Sequence, residues 1–262
     1  MKDKERLDKL AAELGLTDTR TKAQALIMAG KVRVNGQVIT KAGAMFTRDS
    51  EITIDEIPKW AGRGAQKLLR AFEVFPIDVR GKVCADFGAS TGGFTDVLLA
   101  NGARKVYAVD VGYGQLLWRL ANDPRVVVMD RTNARYLAAE DFPEQVEFAS
   151  CDVSFISLRL ILPVLDDVAS EAVVLIKPQF EAGRAKISKG VVRDKAIHSE
   201  VIDNVLEFVR DETSFVVKGL TYSPIRGPEG NIEFLCHLAH SGEGNNFEVN
   251  AIVNEAHKVL GE

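Results

Sequence analysis

Apolar positions change their period along the chain. Leu7, Leu10, Ala11 and Leu14 fall at i, i+3, i+4 and i+7, one face of a helix ended by Gly15. Thr19 or Thr21 can cap a second helix that carries Ala23, Leu26 and Ile27 and stops at Gly30. In KVRVNGQVIT, two alternating strands flank Asn35-Gly36, a pair suited to a turn that needs positive φ at both positions. Residues 51–54 supply another short strand, completing a small α+β unit. Residues 55–61 read as a connector, because Pro58 breaks a helix and Trp60 is a candidate to pack the two units together. GRGAQKLLRAFEVF predicts an amphipathic helix to about Phe75, with Lys67 near its start.

From Lys82 onward, short apolar runs alternate with helix-length segments. Strands are predicted at 83–87, 105–110, 126–130, 146–150, 172–177, 214–222 and 232–238. These seven strands predict an α/β fold with a doubly wound, largely parallel, Rossmann-like sheet. The last two leave no room for a helix between them, so the final strand is expected to be antiparallel. Residues 241–246 form a polar linker, and Val249, Ile252, Val253, Ala256, Val259 and Leu260 mark one face of a terminal helix.

The 262 residues are 46% hydrophobic and 27% charged, enough to bury a core and exclude wholesale disorder. No apolar run approaches the roughly 20 residues of a membrane helix, and MKDKERLDKL lacks a signal peptide's apolar stretch. Cys84, Cys151 and Cys236 lie far apart, which argues against a disulfide framework or structural zinc and suits a reducing cytoplasm. The net charge of −4 hides an asymmetry. Residues 1–64 hold twelve of the 33 basic and nine of the 37 acidic residues, leaving 21 and 28 for the rest. A mildly basic head on an acidic body suits contact with a polyanion, and ordinary solvated charge gives the same count.

CADFGASTGGFTDVLL carries the most chemistry. A strand ends at Asp86 and Phe87, glycines follow at 88, 92 and 93, and a helix starts near Phe94. Such a loop lets backbone approach a ligand, and the acidic end of the next strand, Asp110, suits ribose hydroxyls. It is neither GxGxxG nor a P-loop. Asp86, Asp110 and Asp130 at successive strand ends suit a cationic, hydroxyl-rich ligand such as S-adenosylmethionine, with Asp86 toward its amino group and Asp130 toward its adenine. A dinucleotide and a plain structural turn stay open on these residues alone.

Lys67, Asp152, Lys177 and Glu233 stand where strand ends and helix starts can converge, at the carboxyl edge of the sheet. Two close lysines lower each other's pKa while Asp152 and Glu233 hold them charged and oriented, and a lysine brought down in this way can take a proton from a ribose 2′-hydroxyl. The alternative is a set of structural ion pairs.

DFGASTGGFTDVLL, AVDVGYGQL, NDPRVVVMDRTNAR, DVSFISL, VLIKPQFE and SPIRGPEGNIEF, in that order, closely resemble the TlyA family, also called hemolysin A-like, among the FtsJ-like ribose methyltransferases. RLDKLAAELGL and TRTKAQALIMAGKVRVNGQ resemble the S4-type RNA-binding module. The resemblance covers nearly the whole chain. It implies an RNA-binding domain at 1–57, a linker at 58–64 and a methyltransferase domain with a C-terminal helix at 65–262. It also implies S-adenosylmethionine-dependent methylation of cytidine 2′-oxygens in ribosomal RNA, within 16S and/or 23S RNA or the subunits that contain them. The catalytic tetrad then falls on Lys67, Asp152, Lys177 and Glu233. The cofactor set falls on Asp86, Gly88, Ala89, Ser90, Thr91, Gly92, Gly93, Phe94, Asp110, Asp130 and Asn133, and RNA contacts on Arg6, Arg20, Lys22, Lys31 and Arg33. No metal and no membrane partner are expected. The connector departs from the family pattern, since small Ala61 and Gly62 follow Trp60.

The rival readings are a hemolysin, a non-catalytic RNA-binding module and an NAD-dependent enzyme. A pore former needs a membrane-inserting segment, whereas the short terminal helix carries Glu255 and Lys258 and reads as packing. His237 and His240 end a strand and read as structural, and His198 and His257 have no partner in reach. Lys186, Lys189, Arg193 and Lys195 form a basic cluster, either an RNA contact or a solvated loop.

Overall fold

The computed structural model describes residues 4–17, 19–55, 59–183 and 190–261, so Pro58, Lys186 and Lys189 lie outside the described residues. The chain divides between Lys59 and Trp60 into two compact units.

In the first unit, β1 (Lys4–Arg6), α1 (Leu7–Glu13) and α2 (Arg20–Met28) precede β2 (Val32–Val34), β3 (Gln37–Ile39), β4 (Met45–Thr47) and β5 (Ile52–Ile54). Thr19 caps α2 by accepting from the Lys22 amide at 3.2 Å. Asn35 (φ 49°) and Gly36 (φ 79°) make the expected turn between β2 and β3. Leu7, Leu10, Ile27, Val32, Val34 and Ile52 fill the core between the helices and the β3-β2-β5 sheet. Leu14 leaves the predicted face and is 46% exposed, because α1 ends one residue earlier and Gly15 turns the chain at φ 72°. The β1–β4 pair was not predicted; three residues are too few to display a period of two.

The second unit runs α3 (Ala65–Val74), β6 (Val83–Phe87), α4 (Gly93–Ala100), β7 (Lys105–Val109), α5 (Trp118–Ala121), β8 (Val126–Met129) and β9 (Phe148–Cys151). It continues through α6 (Leu162–Val168), β10 (Glu171–Ile176), α7 (Pro178–Glu181), α8 (Lys195–Glu212), β11 (Val216–Tyr222), β12 (Phe234–Ala239) and α9 (Val249–Leu260). The seven strands take the order β11-β12-β10-β9-β6-β7-β8. β8, β7, β6, β9 and β10 are mutually parallel, and β12 is antiparallel to both its neighbours, as expected.

Helices cover both faces. α6, α8 and α9 bury Leu162, Val205 and Val253 against one, and α3 and α4 bury Leu68 and Leu98 against the other. Strand β6 is therefore apolar on both sides and shows no alternation. The strand order reverses at β6 and β9, which opens a crevice at their carboxyl ends.

Several details differ from expectation. The 146–150 strand is displaced to Phe148–Cys151, with Val146 forming only an isolated bridge to Ala169. Val259 is 59% exposed, because α9 packs through Val249, Val253 and Ala256. His198 and His257 are partners after all, Nδ1 to Nε2 at 2.9 Å between α8 and α9, a contact that a separation of 59 residues concealed. Burial, then the neighbouring His257, holds His198 down at about 4. The three cysteines are buried, which pushes their thiols up to about 12.

Gly92 is the backbone position that fixes the β6–α4 turn. Its φ is 97°, and a Cβ there would stand 2.4 Å from Leu120 Cδ1 and 2.7 Å from Leu116 Cδ1. Gly92→Ala is expected to lower unfolding free energy by about 1–3 kcal/mol, measured by urea denaturation. An unchanged midpoint would show that the turn tolerates a side chain.

Candidate active site

Residues 88–92 pass close under the ends of β9 and β7. Gly88 (φ 85°) lies so near β9 that a Cβ would meet the Asp152 carbonyl oxygen at 2.8 Å. The Gly88 and Ala89 amides both donate to the Val109 carbonyl, at 2.9 and 3.1 Å. The Ser90 amide (φ 48°) donates to Asp110 Oδ2 at 2.8 Å, and Asp110 Oδ1 accepts from the Gly112 amide at 2.7 Å. Gly93 packs against the start of α3, where a Cβ would lie 3.0 Å from the Ala65 amide nitrogen.

Two cavities flank this loop and share Gly88, Ser90, Asp152 and Ser154. One, of about 320 Å³, is lined by Ala89, Thr91, Gly93, Phe94, Lys67 and Lys177. The other, of about 480 Å³, is lined by Asp110, Gln115, Asn133, Phe155 and Ile156.

Three expected cofactor residues line neither cavity. Asp86 is fully buried; Oδ2 accepts from the Thr95 amide at 2.8 Å and its hydroxyl at 2.7 Å, and Oδ1 accepts from Ser150 at 3.0 Å. It pins the start of α4 to the sheet and opens on neither cavity. Gly92 turns toward Leu116 and Leu120. Asp130 Oδ2 accepts from the Gly114 amide at 2.8 Å and braces the loop after β7.

The four ionisable residues meet. Pairing of Ile176 with Phe234 places the next residues, Lys177 and Glu233, at one sheet edge. Pairing of Phe87 with Cys151 does the same for Gly88 and Asp152, and the first turn of α3 delivers Lys67. Lys67 Nζ lies 2.7 Å from Glu233 Oε2 and 3.3 Å from Asp152 Oδ2. Lys177 Nζ lies 2.6 Å from Asp152 Oδ1 and 2.9 Å from Ser154 Oγ. Asp152 thus bridges two ammonium groups, and Glu233, 1% exposed, closes the set from behind.

Burial pulls the Lys67 pKa down, but the Asp152 and Glu233 carboxylates outweigh it and hold Lys67 above its ordinary value. The expectation of a lowered lysine is therefore corrected at Lys67: it has two carboxylate partners, so it stays charged.

Other residues at the site escaped sequence reasoning. Gln179 Nε2 donates to Glu233 Oε1 at 3.2 Å. Phe155, at φ 64°, is 90% exposed at the cleft and 5.2 Å from the Phe180 ring. Glu181 accepts from Ser157 Oγ and the Leu158 amide, at 2.7 and 2.8 Å, and so fixes the loop that carries Phe155. Asp96 accepts from the Ala61 amide at 2.9 Å and pairs with Arg119, tying the segment after Trp60 to α4. These residues lie in or beside the conspicuous motifs, but their roles depend on contacts across the fold.

In the first unit, Arg6 and Arg20 both engage Asp8, which is fully buried and also accepts from Gln24 at 2.6 Å. The Arg6 guanidinium, foremost among these donors, holds the Asp8 carboxyl well below the usual carboxylate range. Both arginines remain about half exposed, at 47% and 51%. Arg33 pairs with Asp55 at 3.0 Å, Lys22 is exposed and Lys31 half-buried.

A Rossmann-like sheet with a glycine loop beside paired lysines and carboxylates belongs to a known class. The family description "FtsJ-like methyltransferase" matches residues 60–240, and "S4 domain" matches 5–52. The chain belongs to the FtsJ-like methyltransferase family, in its TlyA group. "Putative rRNA methyltransferase YqxC" of Bacillus subtilis (strain 168) is 49% identical over 271 residues, 99% of this chain and 96% of that protein. The 16S/23S rRNA (cytidine-2'-O)-methyltransferase TlyA of Mycobacterium tuberculosis (strain ATCC 25618 / H37Rv) is 44% identical over 241 residues, 89% of each. Among solved structures, "Putative hemolysin from Streptococcus thermophilus" is similar with a TM-score of 0.75 and 45% identity, covering 99% of this chain and 98% of that one. Among the described residues no helix is long and apolar enough to cross a membrane.

Burial raises the Asp86 carboxyl to about 6, despite hydrogen bonds from Thr95 and Ser150. Its folded-state value thus lies above the ordinary 3.8, so its contribution to stability is fullest below about 3.8 and is lost as pH rises through about 6. Urea denaturation of Asp86→Asn beside the wild type is expected to show the wild type losing up to about 3 kcal/mol relative to the variant between pH 4 and pH 7. A difference independent of pH would contradict this.

Proposed function

We propose that the chain is an S-adenosylmethionine-dependent 2′-O-methyltransferase acting on cytidine ribose in ribosomal RNA. The observation that carries the reading is the placement of Asp152 between Lys67 and Lys177 at the junction of the two cavities. The TlyA relative's name describes the same activity for that protein. We assign residues 1–57 to RNA binding, 58–64 to a linker and 65–262 to the methyltransferase domain.

The residues present fit S-adenosylmethionine. Gly88 lines both cavities, and Asp110, which accepts two amides, keeps further lone pairs for ribose hydroxyls. Asn133 and Gln115 line the same cavity. When bound there, S-adenosylmethionine supplies a methyl group carried on a sulfonium. Two ammonium groups and two carboxylates sum to no net charge, so the site does not repel a cationic donor.

The other residues act on the acceptor. Lys67, held charged by Asp152 and Glu233, donates hydrogen bonds that orient the ribose. Lys177 first gives up a proton to solvent, and its Nζ then takes the 2′-hydroxyl proton as the oxygen takes the methyl group. Alignment of oxygen and methyl carbon supplies the rest of the acceleration. Phe155 offers an exposed ring face on which a base can stack. The basic residues Arg6, Arg20, Lys22, Lys31 and Arg33 serve RNA phosphates, with Asp8 holding two of them in place.

Purified protein incubated with labelled methyl donor and unmodified ribosomal subunits is expected to incorporate label. Lys177→Ala should lower the rate by about 10²–10⁴-fold, and Lys67→Ala or Asp152→Ala by a comparable order. A Lys177→Ala enzyme with wild-type rate would refute the proton-acceptor role, and absence of any incorporation would refute the activity.

A further inference from the structure

Beyond the tetrad lies a basic cavity that the proposed chemistry does not use. It measures about 600 Å³ and lies among the chain after Gly190, the loop before β12 and the last turns of α9. Its lining brings together Arg193, Lys195, Arg226, His257 and Lys258, with Glu229 as the acidic member.

The cavity is built from tied walls. Buried Asn231 accepts from the Val192 amide at 3.0 Å and donates to the Gly190 carbonyl at 2.9 Å, joining two of its sides. Lys195 Nζ donates to Asn254 Oδ1 at 3.0 Å, joining the start of α8 to α9. Arg226 Nε donates to the Leu260 carbonyl at 2.7 Å, which caps the end of α9 and fixes the guanidinium. The lining groups feel one another: burial, then Lys195 and Arg226, holds His257 below its ordinary value.

Arg226 lines both this cavity and the one that contains Lys67 and Lys177. Gly227 makes that proximity feasible, since a Cβ there would stand 2.6 Å from Glu233 Oε1. A ligand that reaches from one cavity into the other meets ribose chemistry at one end and fixed cations at the other.

We propose that this cavity binds a backbone phosphate of the RNA strand whose ribose enters the tetrad, with Arg226 shared between the two positions. The inference rests on the proposed RNA methyltransferase activity and adds a subsite to it. Arg193 and Lys258 are exposed and supply the outer charges, and Arg226 the inner one. Free inorganic phosphate has the same chemistry, and the test separates the two sources.

The full chain is titrated with ribosomal RNA from cells that lack the methyltransferase, by filter binding over a KCl series. The double variant Arg193→Gln, Lys258→Gln is expected to flatten the dependence of log K on log salt by about 0.7–0.9, the change for one lost phosphate contact. Affinity at low salt should fall roughly tenfold or more. The urea midpoint and calorimetric binding of S-adenosylmethionine should stay at wild-type values. If the double variant is less stable, Lys258→Gln alone is read for a smaller flattening in the same direction.

An unchanged slope, with wild-type RNA binding and methylation intact, overturns the inference and leaves the proposed function standing. A wild-type chain that neither binds nor methylates the RNA overturns the function itself. Inorganic phosphate that raises the urea midpoint of the wild type but not of the variant, together with an unchanged RNA slope, assigns the cavity to free phosphate and overturns the RNA subsite.

Discussion

Two ammonium groups can be held against the edge of the sheet only while carboxylates neutralise them, and Asp152 does this for both. A buried lysine without a partner would lose its proton or drag the cleft open to water. Glu233 supplies the second negative charge, and the antiparallel β12 is what brings it there. Were that strand parallel, its beginning would lie at the far edge of the sheet, away from Lys177. The reversed last strand is therefore a condition for the charge balance, and the α3–α4 contact at Gly93 sets where Lys67 enters it.

The loop after β6 shows how backbone geometry and ligand chemistry are divided among neighbours. Gly88 admits a close approach to β9, Gly92 provides the turn, and Asp86 anchors the helix start from below. Only part of this conspicuous glycine motif can touch a ligand. The rest holds the touching part in place, which is why a buried, protonatable Asp86 coexists with an accessible Asp110 one strand away.

Much of this was legible in the sequence. The alternation of short apolar runs with helix-length segments identified the seven strands, and the short spacing before the last one identified its reversal. The tetrad was legible because ionisable residues at the ends of apolar strands have few places to go except a cleft. The directions in which Asp86 and Asp130 face were not legible. A strand-end carboxylate looks the same in sequence whether it meets a ligand or the amides of its own fold. Long-range pairs such as His198–His257 and Gln179–Glu233 were hidden for a related reason: no local pattern records them. The β1–β4 ladder was too short for periodicity to mark. The pKa direction of Lys67 depended on counting its carboxylate partners, and only the fold reveals that it has two.

The chemical position of the transferred methyl group separates ribose chemistry at the two lysines from methylation of a base. Ribosomal RNA labelled by the purified protein can be digested to nucleosides and resolved by mass spectrometry. The arrangement of two lysines and two carboxylates around a ribose predicts label on 2′-O-methylcytidine. Label on a base carbon or nitrogen, with none on ribose, would contradict it.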